Sequence, residues 1–368
     1  FFFKQKTAYE IYQCDWSSDV CSSNLTHFPG LWCVASPGAG FAETPIFTKA
    51  LATGKETRAP WEQLLWRQYE GTGLAGNLAG LPTLAYAGEI DGQKEASDLM
   101  AAAATREGVK LERFIGPQTA HKYHPETKEV LTRRLEELIA RGRSAVPTEV
   151  RFATYTLRYA ESAWVRIEGM GRHWERAEVR ARLGSGGAVE VTTANVTHLR
   201  LAPPNCAQVI VDGATLVPQA RGEAVRLERS AAGWREVSVD DALRKRPGLT
   251  GPIDDAFVEP FLFVRPTGKP LDADVGAWVE SELTAARHLW HDVFRGEVPT
   301  KSDREVTDAD LAERNLILWG DPASNAVLAR ILAKLPVQWD AKHLVVAGKT
   351  HAGGKFAPIL IFPNPLNP

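Results

Sequence analysis

Two apolar runs of this chain deliver residues that could do acid–base chemistry. Leu81–Ala87 ends in a polar tip that holds Glu89 and Asp91, and Leu111–Ile115 leads into a loop that holds His121. Between them, Lys94–Glu107 carries Ala96, Leu99, Met100 and Ala103 on one helical face and stops at Gly108. An acid after one strand and a histidine after the next, joined by one crossover helix, form the second half of a Ser/acid/His arrangement. In such a site a neutral imidazole takes the proton of a hydroxyl nucleophile and returns it to the leaving group. A carboxylate behind the imidazole fixes its tautomer and stabilises the imidazolium. Taken singly, Asp91 is also the first residue of an Asp-Gly turn and His121 a loop histidine. Together, in this order, they favour catalysis. Glu89 is the rival acid and His124 the rival base, although Pro125 beside His124 suits that histidine to the start of a helix.

The nucleophile is harder to find. No Gly-x-Ser-x-Gly occurs in the sequence. Ser185 and Ser324 follow His121, which breaks the order Ser, acid, His used on α/β-hydrolase sheets. Ser36 precedes Asp91, but Pro37 follows it and the elbow glycines are lacking. All three are rejected as nucleophiles.

The elements that would position Asp91 and His121 alternate. Leu31–Ala35 predicts a buried strand that leaves into Ser36-Pro37-Gly38-Ala39-Gly40. Thr57–Tyr69 predicts a helix, with Trp61, Leu64, Leu65 and Gln68 at helical spacing. Pro125 and Glu126 open a further helix whose apolar stripe is Val130, Leu131, Leu135, Leu138 and Ile139. Alternating strands and helices predict a parallel sheet with covering helices. Sites on such sheets form at the carboxyl ends of the strands, where Asp91 and His121 both fall.

CVASPGAGFAET, PTLAYAGEIDGQKEASDLM and IGPQTAHKYHPE resemble the last third of a prolyl oligopeptidase-type α/β-hydrolase domain. The resemblance covers about a third of the chain. It implies that Asp91 is the acid and His121 the base of a peptidase working through an acyl-enzyme, with no cofactor and no metal. It also implies a bacterial source and export, and a nucleophile on a helix whose tail is Thr26-His27-Phe28-Pro29-Gly30. The first 24 residues, FFFKQKTAYEIYQCDWSSDVCSSN, resemble translated sequencing-adapter readthrough at the edge of a metagenomic contig. The expectation is therefore a fragment, inactive as it stands, whose nucleophile stood just upstream of Leu25. Two other functions share these residues: an esterase acting on carbohydrate esters, and a non-catalytic scaffold built on a hydrolase domain.

After Pro147 the pattern changes to period two. Arg151–Tyr159, Trp174–Leu183 and Val189–Thr193 alternate, and Val209–Val211 ends in the hairpin signal Asp212-Gly213. From residue 248, Phe261–Val264, Leu316–Trp319 and Leu344–Ala347 predict strands. Asp272–Phe294 predicts a long helix with Val275, Val279, Leu283, Ala286, Trp290 and Val293 inward, and Val327–Leu335 a short one. The fold class expected is α/β: a partial α/β-hydrolase sheet over 25–147, a small β-rich module over 148–247 and a second α/β domain over 248–368. IFPNPLNP then ends the chain as though a further element followed. In GDPASN, Ser324 or Asn325 reads as a helix cap rather than an anion site. His288 and His291 are three apart on one helix, without a third metal ligand in view.

Composition adds exclusions. A net charge of −2 gives no footprint for nucleic acid or an anionic membrane, and no run of 18 apolar residues is present. Four cysteines form no CxxC pair and leave the redox compartment open. The expected partner is a peptide or ester substrate. The sequence leaves the oligomeric state open.

Overall fold

A computed structural model of the chain describes residues 21–38, 59–67, 71–219, 224–238, 242–353 and 356–367. Helix and strand contribute almost equally, 30% and 29%, which makes the chain mixed rather than all-α or all-β. It divides into two compact units, 1–248 and 249–368. The boundary expected at 147/148 falls inside the first unit.

The first unit opens with α1 (Cys21–His27), so the junction expected at Asn24 or Leu25 lies within a helix. Residues 1–20 lie outside the described residues. Helix α2 covers Pro60–Trp66, shorter than the expected Thr57–Tyr69, and Trp61 stays exposed on it. Residues 57, 58, 68 and 69 are outside the described residues. A 3-10 helix, Thr72–Gly80, follows; its glycine-rich writing gave no helical period, yet Leu74, Ala75, Asn77 and Leu78 are buried.

Strand β1 (Leu84–Gly88), helix α3 (Lys94–Arg106), strand β2 (Glu112–Gly116) and helix α4 (Pro125–Arg141) then alternate as expected. β1 and β2 pair parallel, Leu84 opposite Glu112 through Gly88 opposite Gly116. Residues 35–38 run parallel along the other side of β1, bridging at Ala35–Thr83 and Gly38–Tyr86. The strand expected at Leu31–Ala35 is thus displaced toward the C-terminus. Leu31 is exposed, because Pro29-Gly30 turns the chain before it can reach the sheet.

β1 is buried along its whole length, so both of its faces are covered. Leu84 and Tyr86 pack on Leu131, Leu135 and Leu138 of α4. The opposite layer joins Leu25, Ala35, Ala75, Leu78, Ala103 and Ala104. The stripe of α4 is narrower than expected, with Val130 half exposed, and that of α3 is rotated to bury Ser97, Ala103 and Ala104.

The β-rich module forms two five-stranded sheets around one core. One has the order β10-β9-β7-β6-β3, from β3 (Glu149–Thr154), β6 (Ala177–Leu183), β7 (Ala188–Ala194), β9 (Gln208–Val211) and β10 (Ala214–Leu216). The other has the order β12-β11-β8-β5-β4, from β4 (Glu161–Ser162), β5 (Val165–Met170), β8 (Val196–Leu201), β11 (Val225–Ser230) and β12 (Gly233–Glu236). Inward residues alternate along each strand, and Phe152, Leu157, Ile167, Val179, Leu199 and Leu227 meet in the shared core. β3 stops at Thr154 rather than Tyr159, because the Thr154 and Thr156 hydroxyls bond neighbouring backbone and turn the chain. The Asp212-Gly213 turn closes β9–β10 with both residues at positive φ, 48° and 85°, the backbone a two-residue hairpin requires.

Within this unit the parallel layer is stitched to the sandwich. Buried Asn77 donates to Thr26 O (2.7 Å) and Ala153 O (2.8 Å) and accepts from Ala153 N (2.7 Å). Arg151 on β3 pairs with Glu107 at the end of α3 and with Glu178.

The second unit holds a parallel sheet of order β14-β13-β15, from β13 (Phe261–Arg265), β14 (Thr300–Ser302) and β15 (Asn315–Leu318). Helix α5 (Ala273–Phe294) starts at Asp272, whose side chain accepts from Asp274 N and Val275 N. It buries Val279 and Leu283, while Val293, expected inward, is 59% exposed in the last turn of the helix. Helices α6 (Asp308–Glu313) and α7 (Ala326–Ile331) follow. The single strand expected at Leu344–Ala347 is the middle of an antiparallel sheet, β16 (Val337–Trp339), β17 (His343–Val346) and β18 (Lys349–Ala352).

Candidate functional site

The level register of β1 and β2 ends both strands in glycine, Gly88 opposite Gly116. Beyond them the backbone keeps pairing: Glu89 N donates to Gly116 O (2.9 Å) and Ile90 N to Thr119 O (3.1 Å). A Cβ at Gly88 would fall 2.2 Å from Thr119 O and 2.3 Å from Ala120 O. Only glycine lets the loop after β2 lie this close to the end of β1.

That approach brings Asp91 and His121 together. His121 Nδ1 lies 2.9 Å from Asp91 Oδ2. The other carboxylate oxygen, Oδ1, accepts from Gln93 N at 2.9 Å, so the carboxylate is held from both sides. The Asp91 side chain is 3% exposed and the His121 side chain 42%. An ionised carboxylate only accepts, so Nδ1 carries the imidazole hydrogen and Nε2 is the basic nitrogen. The arrangement is a buried acid behind a surface imidazole, the order of parts a general base needs.

The rivals take other work. Glu89 Oε2 accepts from Gln118 N (2.8 Å) and Gln118 Nε2 (3.1 Å), which clamps the His121 loop to the end of β1. His124 is the N-cap of α4, its side chain accepting from Thr127 N, with Pro125 in the first turn. Ser36 Oγ donates to Leu84 O (3.2 Å) along the edge of β1. Ser185 lies in the exposed turn before β7, and Ser324 is buried in the second unit against Asp321 N (2.9 Å).

Two supporting residues escaped the sequence reading. Tyr86, 1% exposed, donates from its hydroxyl to Lys122 O (2.9 Å) and accepts from His124 N (2.8 Å). It thereby pins the loop that follows His121. Gly116 makes room for it, because a Cβ there would lie 2.3 Å from the Tyr86 hydroxyl oxygen. The available signals were a lone aromatic hydroxyl in an aliphatic strand and a glycine closing each strand. Tyr123 stacks obliquely on Tyr86, ring centres 4.5 Å apart, and burial pushes its phenol pKa up, so it stays a neutral wall.

Among the described residues no group of three or more His, Cys, Asp or Glu is placed to hold a metal. His291 lies near Asp292 (3.7 Å) and Glu297 (4.0 Å) on an exposed face. Asn325 caps α7, accepting from Val327 N and Leu328 N, and Asp321 Oδ1 takes Ala323 N and Ser324 N, so the GDPASN loop satisfies its own donors. Of the cysteines, Cys33 and Cys206 are free thiols. No helix among the described residues is long and apolar enough to cross a membrane. No protein-family model matches the chain, and no curated protein matches it.

Proposed function

We propose that residues 25–147 are the C-terminal part of a serine-hydrolase catalytic domain of the prolyl oligopeptidase type. Asp91 is its acid, His121 its general base and the peptide bond its target. The observation that carries this reading is the 2.9 Å contact between His121 Nδ1 and Asp91 Oδ2 at the level carboxyl ends of two parallel strands. The parallel layer with helices on both faces supports the α/β-hydrolase part of the reading.

In this reading His121 Nε2 takes the hydroxyl proton as the nucleophile adds to the scissile carbonyl. Asp91 stays ionised and stabilises the imidazolium. The imidazolium then gives its proton to the departing amine, leaving an acyl-enzyme that water hydrolyses with the same base. The sequence holds no Gly-x-Ser-x-Gly, so the reading assigns the nucleophile to a segment encoded upstream of Leu25.

The test joins the chain to its upstream reading frame and treats it with a fluorophosphonate probe, a peptide panel and an acyl-ester panel. The expected result is labelling and peptide cleavage that fall by about a hundredfold or more in His121→Ala, the scale of a general base. Labelling that His121→Ala leaves intact would overturn the assignment. Ester turnover without peptide turnover would move the substrate to esters. An upstream elbow without Ser, Cys or Asp would make the domain a scaffold.

A further inference from the structure

The outer face of the β12-β11-β8-β5-β4 sheet carries a row of like charges. Arg166 on β5 stands directly opposite Arg200 on β8, and Arg200 directly opposite Arg226 on β11. Three arginines side by side across three strands repel one another, and like charges in direct cross-strand register destabilise a sheet. The neighbouring acids compensate poorly. Glu161 lies 3.7 Å from Arg166 and Glu168 lies 3.5 Å from Arg226, both too long for a hydrogen bond. Arg200, the middle member, has no carboxylate partner among the described residues. The Nε atoms of Arg166 and Arg200 are buried and without an acceptor among those residues, so part of each guanidinium is already out of water.

A second element deepens this face. The segment 242–247 passes over it, with Arg244 Nη1 donating to Glu168 O at 2.8 Å. The result is a cleft whose lining includes Arg166, Arg226, Arg244, Arg246, Glu168 and His198. About 590 Å³ of it is free of protein atoms, part of that open to solvent, which is room for a small organic or inorganic ion. Among the described lining residues four arginines stand with one glutamate, which makes that lining positive in a chain whose net charge is −2. Arg246 likewise has no acidic partner among the described residues.

We propose that this cleft binds a small multivalent oxyanion: a phosphate, a sulfate or a dicarboxylate. The guanidinium fork is built for that ligand, because it offers parallel N–H donors to two oxygens at once. The anion neutralises Arg166 and Arg226, the two members of the row that line the cleft, and holds the 242–247 segment against the sheet. The site lies on the sandwich and is independent of the role given to Asp91 and His121.

The experiment is thermal unfolding of the full chain in phosphate, in sulfate and in malonate, each against sodium chloride at the same ionic strength. Each multivalent anion should raise Tm above the chloride control. The strongest of the three tells whether the ligand is tetrahedral or a dicarboxylate. Arg226→Met, which removes a member of the row that lines the cleft, should remove the rise and weaken apparent anion affinity by about tenfold or more, the scale of one charge-assisted hydrogen bond. In chloride the same variant should unfold at an equal or higher temperature, since it relieves the like-charge row. Arg246→Met, outside the sheet, should weaken anion binding and leave the chloride Tm unchanged. Equal shifts in all four salts would reduce the effect to screening and overturn the proposal. So would an Arg226→Met variant that keeps the anion-dependent rise, or one destabilised equally in chloride and phosphate, because the row would then be a structural ion-pair lattice.

Discussion

The first unit contains two layers made by opposite rules. The sandwich of β3–β12 alternates inward and outward residues and closes one continuous core around Phe152, Ile167, Val179 and Leu199. The parallel layer of 35–38, β1 and β2 is buried on both faces, and its apolar contacts split into two clusters that helices complete from either side. The sandwich has a single closed core of its own. The parallel layer leans on it through Asn77 and through the ion pairs of Arg151. The candidate site sits on the dependent layer. Its geometry is decided by glycine close approaches and hydrogen bonds at the strand ends rather than by apolar packing. Stability and positional precision are therefore held by different parts of one unit.

The stitch between the layers should show the largest effect. Asn77→Ala leaves Thr26 O, Ala153 O and Ala153 N without their partner in a buried place. The expected loss is about 3 kcal/mol in denaturant unfolding, the scale of stranded buried polar groups. Hydrogen exchange should quicken at the amides of β1 and β2 well before those of β5 and β8. Equal quickening in both layers would erase the distinction between them.

Gly88→Ala should cost less, about 2 kcal/mol, the range for overpacking a tight contact, because its Cβ meets two carbonyl oxygens of the His121 loop. It should also separate His121 from Asp91. Gly92→Ala is the control: among the described residues nothing lies within 4 Å of its Cβ, and stability should not change. A neutral Gly88→Ala would show that the loop is not held by close approach.

The smallest effect concerns the pin between α4 and β2. Arg134 donates to both carboxylate oxygens of Glu112, at 3.0 and 2.8 Å, and this hydrogen bonding holds the Glu112 carboxyl below the usual carboxylate range. A depressed carboxyl stabilises the fold at pH values above its unfolded pKa, and the contribution fades as pH falls through the folded pKa. The stability gap between the chain and Arg134→Met should thus be constant near neutrality and close in acid. A gap that widens in acid would give the pair the wrong sign.

Much of the dependent layer was legible in the sequence, because β1 and β2 are short apolar runs, α3 and α4 carry apolar residues at helical spacing, and Gly108 marks the end of α3. Asp91 and His121 were legible for the same reason: the strand–helix–strand order alone puts them at one end of a sheet. The 3-10 helix Thr72–Gly80 was not, since TGLAGNLAG has no apolar period and is buried by its small side chains against neighbours distant in sequence. The roles of Tyr86 and Asn77 were equally hidden, because each depends on partners 36 to 76 residues away. The arginine row was invisible for a related reason: Arg166, Arg200 and Arg226 meet only through strand register.

The most direct test of the central claim, that the end of the parallel layer presents an oriented imidazole backed by a buried carboxylate, is nitrogen-detected NMR of the His121 ring in mildly alkaline buffer. A single tautomer is expected, with hydrogen on Nδ1 and an unprotonated, basic Nε2, and with a hydrogen-bonded Nδ1–H resonance that disappears in Asp91→Asn. A ring averaging between tautomers, or one protonated on Nε2, would contradict it.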